Sequence, residues 1–190
     1  MITWTKSLAI SLGLFVSMGM PVAACNLSKE ELSLSLIGDW QVSNSFGTLT
    51  FNGKTIPLPA GNAGQAQIVP TETGLAVIGD MAPGIHELEF IEDARFTLDA
   101  PSQTILEAGE YLFGEKPQIV TSDEAALIVG CAEGKMLPQI YTSGQFQDSE
   151  GLVDFEIFLF VLHERSMYGI LSGKLHAMGG QAKRVTRWTR

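Results

Sequence analysis

Histidine and cysteine are the residue types in this chain that could anchor a zinc site. The chain has three histidines and two cysteines. Protein zinc sites are usually anchored by a close pair such as Cys-x-x-Cys or His-x-x-x-His, and neither spacing occurs. We therefore predict no metal site and no cofactor, with His86, His163 and His176 in surface or packing roles.

Motifs for nucleotide binding and serine catalysis are broken or absent. Gly53-Lys54-Thr55 matches the end of a phosphate-binding loop, but Thr48 stands where that motif needs a glycine. Neither Ser-x-x-Lys nor Gly-x-Ser-x-Gly occurs. We predict that the protein is not an enzyme, and a hydrolase with dispersed catalytic residues is the alternative, because enzymes can lack short motifs.

The N-terminus has the sequence of an export signal. Lys6 precedes an apolar stretch from Leu8 to Met18, and the small residues Val22-Ala23-Ala24 follow. This order is typical of a secretory signal peptide, and the apolar stretch is short for a transmembrane helix. We predict a signal peptide over residues 1–24, cleavage after Ala24, and one domain over residues 25–190 in the periplasm or outside a bacterial cell.

The two cysteines have two alternative fates. Cys25 and Cys131 would be the only cysteines of the exported chain, and an even number in an oxidising compartment favours one disulfide. However, Val22-Ala23-Ala24-Cys25 also resembles the lipobox of bacterial lipoproteins, in which the cysteine is acylated. An acylated Cys25 would leave Cys131 as a free thiol, so the disulfide and the lipid anchor exclude each other.

Composition and charge restrict the partners. The chain is 45% hydrophobic and 17% charged, with a net charge of −9. Loss of residues 1–24 removes one positive charge, Lys6, and leaves −10. An acidic body disfavours nucleic acid and anionic membrane surfaces. Basic residues crowd the last 17 positions, which is typical of a terminal strand paired with an acidic body.

Alternating hydrophobicity with intervening turn residues predicts a β-rich domain. Asn52-Gly53 is typical of a tight hairpin turn. Ser28 and Glu31 have the spacing of a capping box, which predicts a short helix ending before Gly38, although the leucines at 32, 34 and 36 also alternate as in a strand. Predicted strands cover residues 39–45, 47–51, 54–58, 66–69, 75–79, 85–91, 95–98, 109–113, 126–131, 152–162, 167–177 and 182–188.

The segment from Leu152 to Leu162 carries the clearest strand pattern. In a strand, Asp154 and Glu156 lie on one face, opposite Phe155, Ile157 and Leu159. The second half of the segment is apolar on both faces, since Phe158 and Phe160 lie on the face of the two acids. We expect the leucines of the N-terminal segment to cover these phenylalanines, with a partner protein or an apolar ligand as alternatives.

The strand pattern resembles the lipocalin and calycin group. Gly38-Asp39-Trp40 opens the first strand, a short N-terminal segment precedes it, and the last strand carries arginines. In lipocalins the tryptophan of Gly-x-Trp lies at the barrel base, and an arginine from near the chain end packs across it. The resemblance implies that Arg184 or Arg187 makes this contact with Trp40. Periplasmic bacterial metalloprotease inhibitors, which are small barrels with one disulfide, are similar in outline.

We therefore predict a mainly β protein, an antiparallel meander that forms a lipocalin-like barrel or half-open sandwich with a short N-terminal helix. The predicted function is that of a non-enzymatic exported binding module. Its barrel, lined partly by Phe155, Ile157 and Leu159, either holds a small apolar ligand or is filled by side chains. The alternative is a periplasmic protein-interaction or protease-inhibitor domain that binds an envelope protein through its loops or through Phe158 and Phe160.

Overall fold

The computed structural model describes residues 22–61, 63–91, 126–127 and 129–190. Nearly all of the predicted signal peptide, residues 1–21, and the predicted strands at 95–98 and 109–113 lie outside the described residues. In the described part the elements are a helical turn Ala24–Asn26, helix α1 Lys29–Leu36, and strands β1 Gly38–Phe51, β2 Lys54–Leu58, β3 Ala63–Pro70, β4 Leu75–Gly79, β5 Ala82–Ile91, β6 Gln139–Asp148, β7 Gly151–His163, β8 Ser166–Leu175 and β9 Gly180–Thr189.

Eight of these strands form a closed antiparallel barrel. Each strand from β3 to β9 pairs with the next along the chain, and β1 pairs with both β3 and β9. Strand β2 stands outside the ring and pairs with the second half of β1. The predicted antiparallel β-barrel is confirmed. We call the end at which β1 begins the base and the end at which β1 finishes the mouth.

Helix α1 packs against the base, and its capping box explains where it starts. The Ser28 N–H donates to Glu31 Oε2 at 2.8 Å, and the Glu31 N–H donates to Ser28 Oγ at 3.2 Å. Leu32 and Leu36, four residues apart on one helical face, are buried in the core, whereas Leu34 is exposed. The helix interpretation of this segment is therefore confirmed.

The β1–β2 hairpin has the predicted turn. Asn52 and Gly53 both have positive φ, 50° and 72°, as a type I′ turn requires, and Phe51 pairs with Lys54 across it. The structure joins the two strands predicted at 39–45 and 47–51 into the single strand β1. An irregularity in its pairing with β9, between Asn44 and Gly47, marks the position of the predicted break.

Strand β7 sends alternate side chains into the barrel. Phe155, Ile157 and Leu159 are 2%, 4% and 1% exposed and belong to the core cluster that also contains Trp40 and Trp188. Strand β7 pairs with β8 through a tight turn, across which His163 pairs with Ser166.

A second, outer cluster covers the other face of β7, and it corrects two predictions. Phe158 and Phe160, which form the partner-binding face of the alternative function, are only 3% and 0% exposed. They pack with the outer-cluster residues Ala126, Cys131 and Leu137. The leucines of α1 do not cover them, because Leu32 and Leu36 enter the barrel core and Leu34 is exposed. Ala23 and Cys25 pack against this outer cluster instead.

The segment that carries Cys131 is not the strand predicted at 126–131. The Cys131 N–H donates to the Ala126 carbonyl oxygen at 2.9 Å, and Gly130 has a φ of 85°, which favours glycine. This compact turn brings Cys131 to Cys25, and the two form the predicted disulfide across 106 residues. The disulfide therefore fastens the outer cluster to the start of the domain.

The residues around the predicted cleavage point belong to the packed structure. Ala23 forms an isolated bridge with His163, and Ala24 is fully buried. Cleavage after Ala24 stays a prediction. In the described part of the chain, no helix has the length and apolar character needed to span a membrane.

Candidate functional site

An apolar cavity of about 380 Å³ opens at the mouth of the barrel. We call it the mouth cavity. Nine of its ten lining residues are apolar, and one is charged. They are Leu49, Phe51, Ile56, Glu150, Val153, Gly173, Leu175, Met178, Gly180 and Ala182.

Strand register brings these residues together from four neighbouring strands. Val153 of β7 pairs with Leu175 of β8, which pairs with Gly180 of β9. One row deeper, Gly173 pairs with Ala182, and Ala182 pairs with Leu49 of β1. Residues directly opposite each other in a sheet share a face, so both rows lie on the inner face of the barrel wall.

Two glycines provide much of the space. A Cβ added at Gly173 would have Val153 Cγ1 as its nearest atom, 3.9 Å away, and one added at Gly180 would lie 3.7 Å from Phe51 Cδ2. These are ordinary contact distances, so larger side chains at these positions would project into open space. The cavity exists because β8 and β9 carry the small residues Gly173, Gly180 and Ala182 at the mouth.

Exposed apolar side chains form the rim. Phe51, Ile56 and Met178 are 37%, 53% and 47% exposed. Phe51 and Ile56 belong to the β1–β2 hairpin, and Met178 belongs to the β8–β9 turn. Glu150 lies in the β6–β7 turn, where its N–H donates to Asp148 Oδ1 at 2.6 Å. A ligand in the mouth cavity would remove three large apolar side chains from water.

The barrel below the mouth cavity is filled. Phe155, Ile157 and Leu159, the predicted lining residues, are buried against other core side chains and do not line the cavity. Val153, on the same face of β7, does line it. Sequence reasoning missed Gly173, Gly180 and Ala182, although glycine inside a strand is a known sign of a close approach by a ligand or another backbone.

Arg184 lies on the inner face between the core and the mouth. It pairs with Gly47 of β1 and Leu171 of β8, and its Nη1 donates to the Pro59 carbonyl oxygen at 3.3 Å. The loop carrying Pro59 runs alongside β1, since the Gly61 N–H donates to the Asn44 carbonyl oxygen at 2.9 Å. Arg184 thus fastens this loop and does not contact Trp40.

Trp40 at the base contacts a different arginine from the two predicted. Arg190 Cζ lies 4.7 Å from the centre of the Trp40 ring. Arg187 is exposed and pairs with Ser43 and Tyr168, on the outside of the barrel. An arginine from near the chain end does contact Trp40, as predicted. The assignment of this contact to Arg184 or Arg187 is wrong.

Arg190 also completes the hydrogen bonding of the helix end. Its Nη1 donates to the Ile37 carbonyl oxygen at 2.7 Å, and its Nη2 donates to the carbonyl oxygens of Ser35 and Glu164. Burial lowers the pKa of the Arg190 guanidinium, and the neighbouring charge of Arg165 lowers it further. The base is therefore closed by a cation that binds carbonyl groups left unpaired at the end of α1.

The three histidines lie in separate places. His86 packs edge-on against Phe155, with ring centres 4.7 Å apart. His163 Nδ1 accepts from the Arg165 N–H at 3.2 Å, and His176 Nε2 lies 2.5 Å from Asp154 Oδ2. Among the residues that the structure describes, no group of three or more His, Cys, Asp or Glu side chains has the arrangement of a metal site.

Comparison with known proteins gives little further information. No protein-family model matches the chain, and no curated protein matches it significantly. A solved structure described as the monomer form of the M. tuberculosis PknI sensor domain aligns with 82% of this chain and 86% of its own, at 9% sequence identity and a TM-score of 0.38. Similarity at that level carries no argument about function, which has to come from the site itself.

Proposed function

We propose that this protein is an exported, non-enzymatic binding module that holds a small apolar ligand in the mouth cavity. The observation that carries the proposal is an apolar cavity of about 380 Å³ above a filled barrel core. Small-molecule pockets commonly have volumes of roughly 300–1,000 Å³ and mostly apolar walls. The lipocalin resemblance is in keeping with this proposal.

Export is supported by two independent features. The N-terminal sequence is typical of a signal peptide, and the Cys25–Cys131 disulfide suits an oxidising compartment. While Cys25 Sγ is held in the disulfide, it is not available for a lipid anchor. We therefore favour a free periplasmic or secreted protein over a lipoprotein.

The protein-interaction or inhibitor alternative has less support. Its expected surface, Phe158 and Phe160, is covered by the outer cluster. Strand β2 ends the sheet, but Pro57 lacks an N–H group, and proline on an edge strand opposes pairing with another chain. A ligand small enough for the mouth cavity therefore fits the structure better than a protein partner does.

A fluorescent apolar probe tests the proposal. N-phenylnaphthylamine should bind the disulfide-bonded protein saturably in the micromolar range. Gly173→Leu should weaken binding by roughly ten-fold or more, because the new side chain occupies the cavity. Ser172→Leu, on the opposite face of β8, is the matched control and should bind as the unmodified protein does.

Nuclear magnetic resonance with carbon-13 methionine methyl groups locates the probe. The methyl group of Met178 lines the mouth cavity, whereas Met167 is fully buried in the core. The probe should shift the Met178 signal and leave the Met167 signal in place. Absence of saturable binding, or equal binding by Gly173→Leu and Ser172→Leu, would refute the proposed function.

A further inference from the structure

The charged residues of the strands are divided between two walls of the barrel. Strands β4 to β7, which are neighbours in the sheet, carry five acidic residues and no lysine or arginine. We call them the acidic wall. Strands β8, β9, β1 and β3 complete the ring, and together with β2 they carry five basic residues and one acidic residue, Asp39. We call them the basic wall. The acidic wall carries Glu87, Glu89, Asp148, Asp154 and Glu156, and the basic wall carries Lys54, Lys174, Lys183, Arg184 and Arg187.

Three of the five basic residues have a place in the structure that accounts for them. Lys174 pairs with Asp154 of β7, so its charge is matched at the boundary between the two walls. Arg184 is on the inner face and fastens the loop that follows β2. Lys54 pairs with Phe51 and therefore shares the face of the hairpin that borders the mouth cavity.

Lys183 and Arg187 remain, both on the outer face of β9. Both are exposed, and neither forms an ion pair with another described residue. The crowding of basic residues near the chain end predicts pairing with an acidic body, and for these two residues that prediction is wrong. Strand β9 lies between β8 and β1, whose one carboxylate, that of Asp39, accepts from Gln67 Nε2 at 3.0 Å.

Hydroxyl groups flank both cations. Arg187 pairs with Ser43 of β1 and Tyr168 of β8, and Lys183 pairs with Ser172 of β8. Residues directly opposite each other share a face, so each cation has a hydroxyl group on a neighbouring strand. A phosphate group accepts hydrogen bonds at several oxygens and binds a guanidinium through two N–H groups. A cation with hydroxyl neighbours therefore suits phosphate.

The spacing of the two cations favours a chain of phosphate groups over a single one. Lys183 and Arg187 are four residues apart on one strand, which places their Cα atoms about 13 Å apart. One phosphate group cannot contact both residues, whereas a linear polymer lying along β9 can.

The overall negative charge does not decide the potential at this surface. In the row of Lys183, the nearest carboxylate belongs to Glu156, two strands away, or about 10 Å. The Debye length is about 8 Å at physiological ionic strength, so exposed charges at that distance are largely screened. The net charge of −9 therefore opposes an anionic partner less at β9 than at the acidic wall.

Other anionic partners suit this surface less well. Protein interfaces depend on large apolar or aromatic anchors, and none of the exposed large apolar side chains in the described residues belongs to β8 or β9. Recognition of anionic lipids typically uses clusters of about four to eight basic residues, more than the two free cations of β9.

We propose that the outer face of β9 binds a linear polymer that carries phosphate groups, with Lys183 and Arg187 as its two cationic contacts. Neither residue lines the mouth cavity, so this site is independent of the proposed function.

Short-chain inorganic polyphosphate is the probe, and its binding is measured by titration calorimetry in low salt. A ten-fold increase in sodium chloride should weaken binding by about ten-fold or more, because contacts with a polyanion release counterions. In nuclear magnetic resonance spectra, the amide shifts should centre on Lys183 and Arg187. The methyl signal of Met178, which lines the mouth cavity, should stay in place.

Two double variants separate local charge from net charge. Lys183→Gln with Arg187→Gln should weaken polyphosphate binding by about ten-fold or more. Lys29→Gln with Lys135→Gln is the matched control, because it removes two positive charges from exposed positions outside the strands. The control should bind within about two-fold of the unmodified protein. Ser172→Asp, which puts a carboxylate beside Lys183 and keeps both cations, should weaken binding by about three-fold or more.

The proposal is overturned if polyphosphate does not bind saturably, if the two double variants lose affinity equally, or if the amide shifts lie on other strands. Tighter binding to phosphatidylglycerol vesicles than to polyphosphate would make the partner a membrane. Dimerisation of the protein alone that is lost in Lys183→Gln with Arg187→Gln would make it a second copy, and either result would replace the polymer. None of these results depends on N-phenylnaphthylamine, so failure at β9 is distinguishable from failure at the mouth.

Discussion

The guanidinium of Arg190 lies over the ring of Trp40, 4.7 Å from the ring centre, and binds the Ile37 carbonyl oxygen at the same time. One side chain thus ties the end of the last strand to the start of the first strand and to the end of α1. Because Trp40 is 1% exposed, this contact closes the base of the barrel over one of its two largest core side chains.

Arg190→Ala should lower the free energy of unfolding by about 2 kcal/mol, since it removes a partly desolvated cation–π contact and charge-assisted hydrogen bonds to backbone carbonyls. Chemical denaturation measures the change. Arg187→Ala, at an exposed position on the same strand end, should change stability by less than about 0.5 kcal/mol. Equal effects of the two variants would contradict the role given to Arg190.

Gly169 and Gly173 of β8 make a second matched pair. A Cβ at Gly169 would overlap the Phe158 carbonyl oxygen, whereas a Cβ at Gly173 has its nearest neighbour at 3.9 Å. Gly169→Ala should destabilise the protein by about 3 kcal/mol or prevent folding, because backbone cannot move aside as a side chain can. Gly173→Ala should stay within about 1 kcal/mol of the unmodified protein, and thermal unfolding of the two variants tests the difference.

The disulfide joins cysteines 106 positions apart, which corresponds to roughly 4.8 kcal/mol in the chain-entropy model. Cys131→Ser should therefore lower the free energy of unfolding by about that amount. The variant should also bind hydrophobic dyes more strongly, because the outer cluster over Phe158 and Phe160 loses its covalent fastening. Cys25→Ser should behave alike, and an unchanged stability in either variant would argue against the disulfide.

Intact-mass measurement of the exported protein tests the predicted processing. Cleavage after Ala24 with a disulfide gives a chain that begins at Cys25 and is two hydrogens lighter than the reduced form. The lipid-anchored alternative gives a mass increased by a diacylglycerol group and a free Cys131. Retention of Ala23 or Ala24 would show that the two packed alanines belong to the mature protein.

Asp154 gives the protein a predictable response to acid. Its hydrogen bond with His176, and secondarily that with Gln145, lowers the pKa of the Asp154 carboxyl group. A lowered pKa in the folded state contributes stability above the ordinary aspartate pKa of about 4, and this contribution is lost as the pH falls through the lowered value.

Asp154→Asn should therefore lose less stability than the unmodified protein between pH 5 and about pH 2, as measured by denaturant midpoints at each pH. His176→Ala, which removes the larger cause, should have a similar effect. Glu133→Gln, at an exposed carboxyl group outside this network, is the control for the loss of one negative charge. Identical acid profiles for Asp154→Asn and the unmodified protein would contradict this account.

The sequence alone determined the local features of this protein. The capping box of Ser28 and Glu31, the turn at Asn52-Gly53 and the alternation along β7 are visible without any structure, because helix caps, tight turns and strand faces depend on neighbouring residues. The even number of cysteines favoured the disulfide, and the resemblance to the lipocalin group implied an arginine against Trp40.

The tertiary structure decided which distant residues meet. Arg190 rather than Arg184 or Arg187 reaches Trp40 because strand register fixes both the face and the height of each side chain, and a shift of one residue reverses the face. Burial of Phe158 and Phe160 depends on the turn that carries Cys131, which periodicity cannot place. The mouth cavity depends on Gly173 and Gly180 lying next to Ala182 and Val153 across three strands. Because the two glycines have no side chains, they contribute no hydrophobic pattern from which the cavity could be predicted.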